Sequence, residues 1–138
     1  MTHPVKWLSD DSLAIFLFHG VLVKNQHSIR NYTRKHVEQD YFVTILRDLK
    51  THGYPLSMAE VVDYIKNKEP FPHRAFVISF DDGFENNYTI AAPAIAEEGM
   101  SATFYITTGF VEYNAMSWID RIEYYLENTP AGILKLPW

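Results

Sequence analysis

The stretch Phe76-Val77-Ile78-Ser79-Phe80-Asp81-Asp82-Gly83 constrains this chain more than any other. Phe, Val and Ile suit a pleated, buried surface. A short, continuous apolar run bounded by turn residues reads as an interior strand of a parallel sheet. In parallel α/β architectures, ligands sit at the carboxyl ends of the strands, which is where Asp81 and Asp82 fall. Isolated carboxylates there are costly to desolvate and need a cation, a donor or a proton. Asp-Asp-Gly is also an ordinary turn signal, and Asp near a helix start complements the helix dipole. The apolar strand before it and the helix-length segment after it favour a site. In such a pair one carboxylate can bind a metal while its neighbour takes a proton from metal-bound water.

The surrounding chain reads as alternating strands and helices. Leu13 to Phe18 is a buried strand ending at His19-Gly20, which puts His19 at the same sheet end as the Asp pair, as a pocket-lining group. Residues 22–35 read as a loop, with His27 exposed. From His36 to His52 apolar residues recur at helical spacing, and Gly53 supplies the stop. Ser57-Met58-Ala59-Glu60 is a capping-box pattern, with Leu56 and Val61 placed for a hydrophobic staple. Phe84 to Glu98 reads as a helix in which Pro93 introduces a kink or begins a second piece. Ala102 to Thr107 is a third strand. Ser117 opens a further helix, capped through Asp120, with Trp118, Ile122, Tyr125 and Leu126 as its apolar face. Residues 129–138 read as a loop. The fold class is therefore α/β with parallel strands.

Composition narrows the partners. With 12 basic and 17 acidic residues the net charge is −5, and no Lys/Arg cluster appears, so nucleic acid is a poor partner. The longest apolar run, Leu13 to Phe18, is far too short for a membrane span. No signal peptide is visible at the N-terminus, which leaves a cytoplasmic location as the default expectation. The chain has no cysteine, so disulfides and thiolate metal sites are excluded.

Ser79-Phe80-Asp81-Asp82-Gly83 resembles the first motif of the polysaccharide deacetylases, the NodB-homology group of carbohydrate esterases, usually written Thr/Ser-Phe-Asp-Asp-Gly. Leu17-Phe18-His19-Gly20-Val21 is similar to the family's first-strand end. Ser101 to Ile106, followed by Thr107-Thr108-Gly109-Phe110, is similar to the strand after the motif. The three segments occur in order and cover most of residues 13–120. The resemblance implies a distorted (β/α) barrel, of which this chain holds the N-terminal part. Residues 1–138 would then be one incomplete domain with its motif-bearing core at about 73–138. Three strands cannot close a barrel, and the open parallel edge invites association with another copy.

The resemblance also implies a reaction: metal-dependent hydrolysis of acetyl groups, N-acetyl above all, from an acetylated polysaccharide or oligosaccharide. Asp81 would be the general base and Asp82 the ligand of a divalent metal, Zn²⁺ or similar. The family's second motif, His-Ser/Thr-x-x-His, supplies two imidazole ligands and does not appear. His27-Ser28 begins like it, but Asn31 stands where the second histidine belongs. The metal site is therefore incomplete in this chain, and the chain alone is expected to be inactive. The alternative is a non-catalytic carbohydrate-binding remnant of the fold. In that case Trp118, Tyr113 and Tyr105 would stack on sugar rings, whereas the plainer reading places these aromatics in core and rim packing.

Overall fold

The computed structural model describes residues 4–27 and 29–133. Among them are six strands: β1 (Ala14–Phe18), β2 (Gly20–Leu22), β3 (His36–Glu38), β4 (Tyr54–Pro55), β5 (Ala75–Phe80) and β6 (Thr103–Phe104). The α-helices are α1 (Gln39–His52), α2 (Met58–Asn67), α3 (Ala92–Glu97), α4 (Thr108–Glu112) and α5 (Trp118–Asn128). A 3₁₀ turn spans Pro4–Trp7, and a π-helical turn, Asn87–Ala91, leads into α3.

Every residue of β5 is buried, and the register explains why. Strand β1 runs parallel along its full length, with Ala14 beside Phe76 and Phe18 beside Phe80. Its other edge is shared, by β4 at Ala75 and Phe76 and by β6 at Ser79 and Phe80. Both faces are covered as well. Phe76, Ile78 and Phe80 pack against Phe42, Leu46 and Leu49 of α1, and the opposite-facing Ala75 and Val77 pack against Leu56 and Val61. A strand closed on both edges and both faces must be apolar at every position, which is the pattern its sequence shows. The carboxyl ends rest on an aromatic floor. Phe80 stacks between Phe18 (5.5 Å) and Phe104 (5.1 Å), and Phe42 meets it edge-on at 5.8 Å.

Strand β1 is different. Phe16 and Phe18 turn into the core, but Ile15 and Leu17 are 60% and 53% exposed. That face is uncovered among the described residues, as expected of one layer of a larger parallel fold. No described helix is long and apolar enough to cross a membrane.

Several expectations needed correction. The helix predicted from His36 begins at Gln39, because His36–Glu38 is drawn out as β3, paired in parallel with β2. Neither β2 nor β3 has enough apolar alternation to announce itself. The third strand is only Thr103–Phe104, since Tyr105 to Thr107 leave the sheet after Tyr105 N–H bonds Phe80 O. The helix read over residues 84–98 is not broken at Pro93: the backbone stays helical, and the π-helical turn Asn87–Ala91 runs directly into α3, where Pro93 sits in the first turn and its missing N–H does no harm. The capping box is complete, with Glu60 N–H donating to Ser57 Oγ and Ser57 N–H to Glu60 Oε2.

The largest correction concerns α5. Ser117 and Asp120 cap it as expected, but its apolar stripe faces outward, and Trp118 is 71% exposed. Tyr113 and Tyr105 are exposed too, so none of the three aromatics belongs to the core. The buried residue of α5 is Glu123. Of the terminal loop, residues 134–138 lie outside the described residues, as does Ser28 of the His27-Ser28 pair.

Candidate active site

The Asp pair stands where the strand ends. Asp81 N–H donates to Phe18 O at 3.0 Å, adding one rung to the β1–β5 ladder. His19 follows Phe18, so His19 and Asp81 leave adjacent strands at the same level. The chain then reverses through two left-handed residues, Asp82 and Gly83, each at φ +72°. Asp is one of the few side chains that visit this region at modest cost. At Gly83 a Cβ would come within 3.0 Å of Ile106 Cγ2, so glycine is required there for space as well as for backbone angle. Asp81 and Asp82 are both half-buried.

Asp82 opens onto a groove of about 500 Å³ whose walls include Arg30, His36, Phe84, Asn86 and Phe110. Asp81 and His19 lie outside its lining. The structure thus brings His19 and Asp81 to one sheet end, and sets Asp82 on the groove beside them. A second, apolar hollow of about 610 Å³ lies between Tyr32 and the outer face of α5, away from the Asp pair.

His36 joins the groove to the rest of the molecule. Asn86 Nδ2 donates to His36 Nδ1 at 2.9 Å, and the ring meets Phe84 edge-on at 4.6 Å. Its backbone is clamped by Asn31, whose Nδ2 donates to His36 O (2.8 Å) and whose Oδ1 accepts His36 N–H (2.9 Å). Asn31, at φ +65°, in turn donates its own N–H to Glu123 Oε2 at 2.8 Å. Glu127 accepts the N–H groups of Ile29 and Arg30 at 2.6 and 3.1 Å, and Lys35 pairs with Asp120 at 2.5 Å. Three carboxylates of α5 therefore hold the loop that delivers His36.

Electrostatics follow from this packing. Burial, then the neighbouring Lys35, pushes the His36 imidazole below its ordinary pKa; His19 adds to this, and Asp120 and Glu123 oppose it. Asp120 is subject first to burial, which raises its pKa. Its hydrogen bonds to Lys35 and Ser117 and the Lys35 charge outweigh that and hold the carboxyl low.

Among the described residues, no three His, Asp or Glu side chains stand together as a metal site. Asp82 is a single carboxylate without imidazole partners among the described residues, which do not make up a site for a divalent ion. His36, Arg30 and Asn86 were not anticipated, and Asn31 was noted only as an interruption of a histidine motif. One signal was available for Asn86. Two adjacent asparagines are a poor choice inside a helix, and here both face buried surroundings: Asn86 Oδ1 and both amide atoms of Asn87 have no hydrogen-bond partner.

Comparison with known proteins bears on the family and the fold. Residues 68–130 match the family model described as polysaccharide deacetylase. The chain is 35% identical over 94 residues to the poly-beta-1,6-N-acetyl-D-glucosamine N-deacetylase of Staphylococcus aureus strain MSSA476, a match that covers 68% of this chain and 31% of that relative. The same protein of strain MRSA252 matches to the same extent. Among solved structures, IcaB from Ammonifex degensii superposes with a TM-score of 0.62 at 21% identity, covering 75% of this chain and 41% of IcaB. The Streptococcus pyogenes deacetylase PplD in complex with acetate gives 0.61 at 24%, covering 83% and 51%. These two likenesses speak to the fold alone. The chain belongs to the polysaccharide deacetylase family and carries part of its domain. It spans about a third of the length of the curated relatives it matches.

Proposed function

We propose that this chain contributes the carboxylate half of the active site of an N-deacetylase acting on a glycan of N-acetylhexosamine units. The observation that carries the reading is the Asp81-Asp82-Gly83 turn at the carboxyl end of the central strand, beside a groove with aromatic walls and hydrogen-bonding groups. Asp81 is the general base: it takes the proton from the water that attacks the acetyl carbon. Asp82 is one ligand of a divalent cation whose remaining ligands are not found among the described residues. When bound, such an ion would stabilise the developing oxyanion. His19, level with Asp81 on the neighbouring strand, lines the site.

The test is acetate release from a β-1,6-linked N-acetylglucosamine oligomer by the protein containing the whole domain. Asp81→Asn removes the base and leaves the turn intact, so the rate falls by about 100-fold or more. A variant that keeps its rate refutes the assignment. Residues 1–138 alone are expected to give no turnover. Turnover by this chain, abolished in Asp81→Asn, would overturn the view that its metal site is incomplete.

A further inference from the structure

We propose that His36 is a substrate-binding residue, held by Asn86 so that its Nε2–H is a fixed donor to an oxygen of the glycan in the Asp82 groove. The inference rests on the deacetylase reading and adds to it a residue outside every motif quoted above.

The geometry is specific. Of the two ring nitrogens, Nδ1 is occupied by the Asn86 amide at 2.9 Å. Nε2 has no partner among the described residues, and His36 forms part of the wall of the groove that Asp82 lines. The amide orientation matters, because it sets the tautomer. As placed, Asn86 buries a carbonyl oxygen without a donor. Turned over, it would bury an NH₂ group with two donors and no acceptor, the costlier arrangement. Asn86 therefore donates, Nδ1 accepts, and the proton of the neutral ring is on Nε2. Burial of the ring, with Lys35 beside it, supports the neutral form.

The protein has excluded other arrangements around this pair. A Cβ on Gly20 would lie 2.3 Å from His36 Nδ1 and 2.6 Å from Asn86 Oδ1, so only glycine leaves room for the bond. Phe84 fixes the ring from the side, and Asn31 fixes the backbone. A histidine clamped at ring and backbone, with one polar atom left over beside a groove, is built to present that atom. A neutral N–H suits a neutral acceptor, and the oxygens of an N-acetylhexosamine are of that kind. Aromatic Phe84 and Phe110 on the same walls suit the apolar face of a sugar ring.

Two near-isosteric variants separate the nitrogens. In His36→Asn the amide reaches the Nδ1 position, keeps a bond to Asn86 and has nothing at Nε2. In His36→Gln the amide NH₂ reaches the Nε2 position. Each form of the 138-residue chain is titrated with a β-1,6-linked N-acetylglucosamine pentasaccharide, following imidazole and backbone ¹H–¹⁵N signals by NMR. The expected result is a His36 with Nδ1 unprotonated and an Nε2–H signal that moves on binding. The Asn variant, folded by its amide spectrum, should bind about three- to tenfold more weakly, the loss of one neutral hydrogen bond, with Gln recovering most of it. A proton on Nδ1 refutes the inference. So does binding that shifts the Asp82 to Phe84 amides but leaves Nε2–H unmoved, or an Asn variant that binds like the wild type; either leaves the deacetylase reading standing. A spectrum unmoved throughout refutes the inference and also removes the support for a glycan site in this chain.

Discussion

Glu123 should be the most sensitive position outside the core. It is 8% exposed, the most buried charged residue among those described, and its Oε2 accepts the Asn31 N–H at 2.8 Å. Glu123→Ala removes a charge-assisted acceptor and strands a partly buried N–H, an effect of about 2–3 kcal/mol. Unfolding entropy of about 2.1 cal/mol/K per residue over 138 residues makes each kcal/mol worth about 3–4 °C, so Tm should fall by about 7–10 °C. Glu123→Gln keeps an acceptor oxygen and loses only the charge, so about 1 kcal/mol and 3–4 °C are expected. Thermal unfolding followed by circular dichroism gives the size of the effect, and amide hydrogen exchange gives its location. Exchange should speed up first at Asn31 and His36, because the Asn31 side chain clamps both backbone groups of His36. A Glu123→Ala protein melting within about 2 °C of wild type would refute the reasoning. The carboxylate would then be equally well satisfied in the unfolded chain, and α5 would not anchor the loop.

The remaining predictions concern the same polar cluster. Gly20→Ala should destabilise by about 1–3 kcal/mol through overpacking, and should break the His36–Asn86 bond, seen as loss of the fixed tautomer in the imidazole NMR spectrum. An unchanged tautomer would mean that the pair can move apart without separating. Stability should also fall with pH in a window set by His36. Its folded pKa lies below the ordinary 6.5, so between the two values the unfolded chain holds more protons. Stability therefore declines as pH drops through about 6.5 and levels off below the folded value, and His36→Gln should flatten that segment of a Tm-against-pH curve. Asp120 acts lower down. Its depressed carboxyl contributes stability that is present above its unfolded value of 3.8 and is lost as pH falls through the folded one, an acid limb that Lys35→Met should weaken.

What could be read from the sequence divides along a physical line. β5 was legible because burial on both faces demands an unbroken apolar run, and α2 because a capping box is a local code. The Asp81-Asp82-Gly83 turn was legible for the same reason: backbone angles of +72° at two successive residues narrow the choice of side chain. The groove was not legible, because its walls are joined across the chain. His36 meets Asn86 fifty positions away, and Asn31 meets Glu123 across 92. No window of sequence contains such a pair, and polar residues at these positions read as ordinary surface.

Helix α5 shows how periodicity can mislead. The spacing of Trp118, Ile122, Tyr125 and Leu126 describes one apolar face correctly, but spacing alone carries no information about which face turns inward. The inward face is decided by backbone groups that need acceptors. In the loop at Ile29, Arg30 and Asn31 three successive N–H groups have no strand or helix to receive them, and Glu123 and Glu127, one turn apart, receive them instead. Once those carboxylates are committed, Trp118 and Ile122 must face out. The apolar stripe of α5 is thus left exposed by a polar requirement. The loop satisfied by that requirement is the one that sets His36 against Asn86, on the wall of the groove that Asp82 lines.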